Sequence, residues 1–140
     1  MPRLGRFLFG DWLKTSSIEP LVEDVGETHF GAGYRDRYTA GHRRHISLSA
    51  SRLLVIDKVE GFARKAVLRW RLAPGDWRLE GGCVVNGIQM LSVRASVPIV
   101  RCEIVEGWES RHYLEKTPVP VLEIEVRQPG TLTTDYRWAT

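Results

Sequence analysis

Long apolar runs are absent from this sequence, and that absence limits where the protein can reside. The longest uncharged stretch is far shorter than the roughly 18 residues that a membrane-spanning helix needs. The N-terminal stretch MPRLGRFLFGDWLK carries Arg3, Arg6, Asp11 and Lys14, so it lacks the apolar region of a signal peptide. We therefore expect no membrane partner. A cytoplasmic location is expected if the chain is complete, and a periplasmic one stays open if it is a fragment.

Cysteine is scarce, with only Cys83 and Cys102 in the chain. Both lie inside apolar runs, where a free thiol behaves as a small apolar side chain. The favoured interpretation is two buried thiols on neighbouring strands. A disulfide is the alternative if the chain is exported, so the sequence leaves the redox state undecided.

Motifs for metal binding, nucleophilic catalysis and phosphate binding are also missing. The chain has no H-x-H or C-x-x-C spacing, no G-x-S-x-G elbow, and no glycine-rich loop before a helix. Asp57 and Glu60 are a conceivable acid pair, but they close a predicted strand and we interpret them as turn residues. We therefore assign no catalytic residue, no metal ligand and no cofactor to this chain.

The bulk composition is that of a single globular domain. The chain has 140 residues, with 43% apolar and 26% charged residues. Its net charge of +3 is compatible with an acidic partner but does not require one. The one basic patch is too short for a nucleic-acid track, so we expect no nucleic-acid partner.

Period-two alternation dominates the sequence, and turn residues interrupt it at short intervals. This pattern predicts an all-β protein, an antiparallel β-sandwich of about 10–12 short strands. Residues 17–140 are predicted to form the single sandwich domain. Residues 1–16 form an irregular lead-in, with one short strand at Arg6–Gly10 and a loop at the Thr15–Ser17 cluster.

Individual strands can be predicted from the alternation. They are 65–72, 83–85, 88–93, 100–105, 121–127 and 131–138. Asn86-Gly87 predicts a hairpin with both residues at the centre of the turn. Pro118 and Pro120 suit an edge or a lead-in and argue against a central strand at that point. Trp77 and Trp108 lie at strand ends, where they serve either as plugs of the core or as sugar platforms.

A basic segment between Gly33 and Gly61 is the best candidate for contact with a ligand. Arginine binds carboxylate and sulfate groups with its planar fork, and tyrosine stacks on sugar rings. The candidate substrate-binding residues are Tyr34, Arg35, Arg43 and Arg44. A charged strand edge that discourages strand pairing is the competing interpretation. The neighbouring His42 and His45 are predicted to point to opposite faces of a strand, which argues against a shared metal.

Several stretches together resemble the C-terminal β region of heparinase II/III-like polysaccharide lyases. They are GRFLFG, GYRDRYTAGHRRHISL, RLLVIDKVEG, LRWRLAPGDW and GWESRHYLEKTPVPVLEIEV, and they extend from Gly5 to Trp138. Their shared order and spacing carry the resemblance, because each piece is short. The resemblance implies a β-sandwich that is part of a larger β structure.

The resemblance also implies what this chain lacks. In the family, a Tyr/His pair in an N-terminal helical toroid and a further histidine act in β-elimination of uronate-containing polysaccharide. A divalent metal is held by an H-x-H pair, an Asp and another His. These residues precede the GRFLFG-like piece, so none is carried onto this chain, and we expect it to be inactive alone.

Three kinds of partner follow from this interpretation. They are acidic polysaccharide, the missing N-terminal helical and β segments of a parent protein, and a second copy that covers an apolar face left open by those segments. A non-catalytic module that binds carbohydrate or another protein is the alternative function.

Overall fold

Strands account for all the regular structure that a computed structural model describes, over residues 12–139. Eleven strands follow one another along the chain. They are β1 (Lys14–Asp24), β2 (Glu27–Arg35), β3 (Gly41–Leu48), β4 (Arg52–Glu60), β5 (Ala66–Arg71), β6 (Arg78–Glu80), β7 (Cys83–Asn86), β8 (Gln89–Ala95), β9 (Ile99–Glu109), β10 (Thr117–Val126) and β11 (Gly130–Arg137). The predicted all-β class is confirmed. Across residues 12–139, no helix is long and apolar enough to cross a membrane.

Two antiparallel sheets of unequal size make up the sandwich. The large sheet has eight strands in the order β1-β2-β3-β4-β11-β8-β7-β6, and the small sheet has three in the order β5-β10-β9. Apolar side chains from both sheets form one core between them. Its fully buried members are Leu72, Val84, Leu91, Leu122, Ile124, Val126 and Leu132.

The period-two pattern accounts for this core. Leu122, Ile124 and Val126 alternate along β10 and are at most 1% exposed, as expected for one face of a strand. Leu132 of β11 supplies the matching face of the large sheet. Burial of each such side chain contributes roughly 1.5–3 kcal/mol before entropy is counted.

The Asn86-Gly87 hairpin is confirmed, but its centre lies one residue later than predicted. Asn86 pairs with Gln89, so the two turn residues are Gly87 and Ile88. Gly87 has φ +58° and no positive φ occurs at Asn86. Glycine at the first central position is the arrangement of a type II′ turn, which needs only one residue with positive φ.

The loop predicted at Thr15–Ser17 is wrong. These residues belong to β1, where Thr15 pairs with Tyr34 and Ser17 pairs with Gly33 around a bulge at Ser16. β1 is an edge strand, and polar side chains suit an edge that faces solvent. The strand predicted at Arg6–Gly10 lies outside the described residues.

The prolines of β10 occupy the half of that strand that pairs on one side only. Pro118 and Pro120 pair with β9, whereas β5 pairs with β10 only from Val121 onward. Proline has no N–H for a second ladder, so a one-sided position is the one it tolerates. The prediction of an edge or a lead-in is thus only partly right, because both prolines lie inside β10, the central strand of the small sheet, although ahead of the part that pairs with β5.

The two cysteines are both free and half-buried. They do not lie on neighbouring strands as predicted, because Cys83 is in β7 of the large sheet and Cys102 is in β9 of the small sheet. Cys102 packs against the core, and burial raises the pKa of its thiol.

Candidate functional site

The basic segment between Gly33 and Gly61 forms the end of β2, a tight loop, and the whole of β3 and β4. Asp36 organises the loop, because its carboxylate accepts hydrogen bonds from the backbone N–H groups of Tyr38 (2.8 Å) and Ala40 (2.9 Å). Thr39 takes a left-handed φ of 71° at the tip. This loop therefore sets the position at which β3 begins, at Gly41.

Alternation along β3 sends its basic residues to two different faces, as predicted for His42 and His45. His42 and Arg44 face the small sheet, where both contact Asp57. Arg43 and His45 face outward, where both contact Glu19 of β1. The four residues therefore form two separate clusters.

The inner cluster is centred on a buried carboxylate. Asp57 is 1% exposed, and it accepts two hydrogen bonds from Arg44, Nε to Oδ1 at 2.7 Å and Nη2 to Oδ2 at 3.0 Å. His42 Nε2 lies 2.6 Å from Oδ1 and donates, because a carboxylate only accepts. Burial acts to raise the pKa of Asp57, but the hydrogen bonds from His42 and Arg44 outweigh it and hold this pKa below its ordinary value.

Aromatic rings enclose this inner cluster. The Arg44 guanidinium lies 5.0 Å from the centre of the Trp70 ring, and Tyr34 meets the His42 ring edge-on at 5.3 Å. Trp70 is itself fixed by a 3.0 Å hydrogen bond from Nε1 to Thr134 Oγ1. The cluster is thus held from several sides, as a structural element of the sandwich would be.

A cavity of about 390 Å³ opens next to the inner cluster, between β3, β4 and β5. Its lining combines polar residues with apolar core residues, among them Tyr34, His42, Asp57, Phe62, Leu68 and Leu132. Within residues 12–139, no group of three or more His, Cys, Asp or Glu side chains could hold a metal ion. The described residues therefore do not fit the metal that the family resemblance implies.

The outer cluster links β3 to β1. Glu19 accepts hydrogen bonds from Arg43 Nε (3.0 Å) and from His45 Nδ1 (2.7 Å). The hydrogen bonds from His45 and Arg43 hold the pKa of Glu19 below its ordinary value. His45 also stacks on His29, with ring centres 6.1 Å apart.

A polar groove of about 260 Å³ lies beside the outer cluster. The residues that form the polar groove are Ser16, Ser17, Tyr34, Arg35, Gly41, His42, Arg43, Lys58 and Glu60. Arg35 forms an ion pair with Glu60, and Lys58 lies 3.6 Å from the same residue. The Ser17 hydroxyl is buried beside the groove and has no hydrogen-bond partner among the described residues.

Three of the four candidate substrate-binding residues meet at the polar groove. They are Tyr34, Arg35 and Arg43. The side chain of Arg35 is 51% exposed and that of Arg43 is 57% exposed. The fourth, Arg44, is on the opposite face and is held by Asp57. Both exposed arginines also pair with carboxylates, so the groove is a mixed-charge surface.

Asp57 is the residue that sequence reasoning misjudged. We interpreted it as a turn residue, whereas it lies in the middle of β4 and is buried. The signal was its alternation with Val55 and Val59, which places it on the inward face of the strand. An acidic residue at an inward position needs a cationic partner, and Arg44 of the preceding strand supplies it.

The two tryptophans at strand ends behave differently. Trp77 packs against the core, and its Nε1 donates to the Ala73 carbonyl oxygen at 2.7 Å. Trp108 is 44% exposed, with the Lys116 ammonium 4.0 Å from its ring centre. Trp77 thus closes one end of the core.

Comparison with solved structures shows the fold family. A heparinase III gene product matches 91% of this chain with a TM-score of 0.74 at 13% sequence identity, and 21% of its own chain is covered. The heparan sulfate lyase HepC from Pedobacter heparinus matches 89% of this chain (TM-score 0.72, 13% identity, 22% of its chain covered). Another heparinase III structure matches 88% (TM-score 0.74, 11% identity, 21% of its chain covered).

Sequence comparison adds no closer relation: no protein-family model matches the chain, and no curated protein matches it. The chain spans about a fifth of the length of the heparinase structures. In the other direction, about nine-tenths of this chain is matched by each of them. At 11–13% sequence identity, the similarity shows a shared fold and nothing about function. The chain therefore has the fold of the C-terminal β region of heparinase-like lyases.

Proposed function

We propose that this chain is the C-terminal β-sandwich portion of a heparinase II/III-like polysaccharide lyase. One observation supports the proposal most: two heparinase III structures and a heparan sulfate lyase structure match 88–91% of this chain, and the match covers only 21–22% of their own chains. A sandwich of this kind is a part of a larger protein in each of those structures. The parent reaction is β-elimination of a uronate-containing polysaccharide.

Among residues 12–139 we find no set of side chains suited to that reaction, which supports the proposal that the chain is inactive on its own. β-Elimination needs a base beside the carboxylate, an acid for the leaving oxygen, and a group that neutralises the carboxylate. His42 and Arg44 have the right chemistry but are both committed to Asp57. His45 and Arg43 are committed to Glu19 in the same way.

Contact with acidic polysaccharide is assigned to the polar groove. Arg35, Arg43 and Lys58 line it, and the buried Ser17 hydroxyl beside it has no partner in the part of the chain that the structure describes. A sulfate or carboxylate group would compete with Glu19 and Glu60 for the arginine forks. The role of the sandwich in the parent is therefore to support one side of a bound chain.

An assay for unsaturated uronate tests the proposal. The purified chain is incubated with heparan sulfate, heparin and alginate, and the ultraviolet absorbance of the unsaturated product is followed, with an active heparinase as the positive control. We expect no product from the chain alone. Product formation that depends on His42 would overturn the proposal that this portion is inactive in isolation.

A further inference from the structure

Two consecutive serine hydroxyls lie on one face of β1, at the wall of the polar groove. Successive side chains of a regular strand point to opposite faces, but a bulge can turn two neighbours to the same face. The register of β1 against β2 shifts between Thr15 and Ser17, which makes Ser16 the extra residue. Ser16 and Ser17 both line the polar groove. The bulge therefore places two hydroxyl donors side by side on its wall.

A glycine opposite the bulge leaves the space that these two hydroxyls share. Ser17 pairs with Gly33, and a Cβ at Gly33 would lie 2.7 Å from the Ser17 hydroxyl oxygen. The same Cβ would lie 2.9 Å from the Ser16 hydroxyl oxygen, so any larger side chain at position 33 would fill this gap. On the other side, Gly33 pairs with Arg43 of β3. The gap thus lies between two hydroxyls and an exposed guanidinium.

The Ser17 hydroxyl has no hydrogen-bond partner among residues 12–139, although its oxygen is buried. A buried hydroxyl without a partner costs free energy, so native proteins rarely keep one unless an ion or water completes its hydrogen bonds. The described lining of the polar groove has three cations, Arg35, Arg43 and Lys58, and one carboxylate, Glu60. This surplus of positive charge favours an anion as the acceptor for the hydroxyl.

We propose that this corner of the polar groove binds a sulfate group of the polysaccharide, with the hydroxyls of Ser16 and Ser17 and the guanidinium of Arg43 as donors. A sulfate ester has three terminal oxygens arranged as a pyramid, so it accepts hydrogen bonds from several directions at once. A carboxylate has two oxygens in one plane, and a single arginine fork satisfies both. Donors on two sides of a gap therefore favour sulfate. The inference rests on the assignment of the groove to acidic polysaccharide.

Binding requires the side chains around the gap to move, because the Ser17 oxygen is shielded from solvent. Ser16 is exposed, and the side chain of Arg43 is 57% exposed, so both are free to turn. Arg43 then exchanges part of its contact with Glu19 for the sulfate oxygens. Ion pairs at a protein surface contribute little to stability, so this exchange is a small cost.

Calorimetric titration of the purified chain tests the proposal with two ligands matched in net charge, a heparin-derived tetrasaccharide and an alginate oligosaccharide. We expect wild type to bind the sulfated ligand at least about tenfold more tightly. Ser17→Ala should weaken binding of the sulfated ligand about tenfold, because it removes a donor to a charged group. It should leave the alginate affinity unchanged, since no charge is lost. Without ligand, urea titration should show a variant at least as stable as wild type, because no partner of this hydroxyl lies within residues 12–139.

The matched control is Thr15→Ala, since Thr15 belongs to the same edge strand but pairs with Tyr34 and is not among the residues that line the groove. It should leave both affinities unchanged, whereas Gly33→Ala, which puts a methyl group into the gap, should abolish the preference for sulfate. The proposal is overturned if wild type binds both ligands equally or binds neither, or if Ser17→Ala keeps the preference or loses stability. None of these results bears on the inactivity of the chain, which the assay for unsaturated uronate tests separately.

Discussion

Arg44 and Asp57 form a bidentate ion pair between β3 and β4, with the carboxylate 1% exposed and the arginine side chain 32% exposed. His42 donates to the same carboxylate, so a single buried anion organises two of the basic residues. A buried ion pair is costly to break, because the remaining charge loses its partner inside the protein. The pair is thus a structural element at the edge of the cavity.

Replacement of Asp57 by Asn should destabilise the protein strongly. The change removes the charge that Arg44 and His42 share, and loss of one member of a buried pair costs roughly 3–5 kcal/mol. The free energy of unfolding, measured by urea titration, should fall by about that amount. Glu60→Gln is the matched control, since the exposed Arg35–Glu60 pair should contribute less than about 1 kcal/mol. Equal losses in the two variants would contradict the prediction.

Acid should destabilise the sandwich partly through Asp135. Hydrogen bonds from Arg52, and then from Arg137, lower the pKa of this carboxyl to about 2. An aspartate in an unfolded chain has a pKa of about 3.9. As the pH falls, the unfolded state therefore binds the proton before the folded state does. The contribution of Asp135 is therefore complete above about pH 4 and is lost as the pH falls toward about 2.

Asp135→Asn tests this pH dependence. The variant should be less stable than wild type at neutral pH, and the difference should shrink as the pH falls to about 2 and below, because the wild-type carboxyl then becomes protonated in the folded state as well. Urea unfolding at a series of pH values measures it. If the difference in the free energy of unfolding between wild type and Asp135→Asn stayed constant across the pH series, the ionised form of Asp135 would not be the source of the stabilisation.

The strands of this fold could be predicted because their alternation is local, whereas the partners of the charged residues could not. The pattern at Leu122, Ile124 and Val126 requires only that one face of a strand be buried. The pairing of Asp57 with Arg44 depends on the register between β3 and β4, which turn geometry fixes and single residues do not reveal. Alternation alone places Arg43 and Arg44 on opposite faces of β3, but the carboxylate that each one meets, Glu19 or Asp57, depends on the same strand register.

The loop at the rim of the cavity should depend on glycine at position 61. Gly61 has φ +67°, and a Cβ there would lie 2.3 Å from the Thr39 carbonyl oxygen, which is backbone and cannot rotate away. Gly61→Ala should therefore cost more than the roughly 1–2 kcal/mol of left-handed strain alone. Gly81→Ala is the control, because Gly81 has φ +56° and nothing within 4 Å of an added Cβ. Urea titration should separate the two variants, and an equal loss of stability would show that the loop accommodates the methyl group.

Binding of acidic polysaccharide should distinguish the two neighbouring arginines of β3. Arg43 faces the polar groove and is 57% exposed, whereas Arg44 is turned inward to Asp57. Arg43→Gln should weaken binding to heparin about three- to tenfold and flatten its dependence on salt, because one screened charge contact is lost. Arg44→Gln should lower stability and leave the affinity of the folded fraction nearly unchanged.

The matched control for that comparison is Arg111→Gln, which removes an even more exposed arginine (72% against 57% for Arg43) whose partner is Glu109, at the end of β9. Affinity chromatography on immobilised heparin with a salt gradient ranks the variants, and calorimetry at two salt concentrations gives the change in salt dependence. If heparin binds at the polar groove, only Arg43→Gln should elute markedly earlier, because Arg43 lines the groove with Arg35 and Lys58, whereas Arg44 and Arg111 do not line it. Equal shifts for Arg43→Gln and Arg111→Gln would instead mean that heparin responds to net charge, and the groove would lose its role as a site.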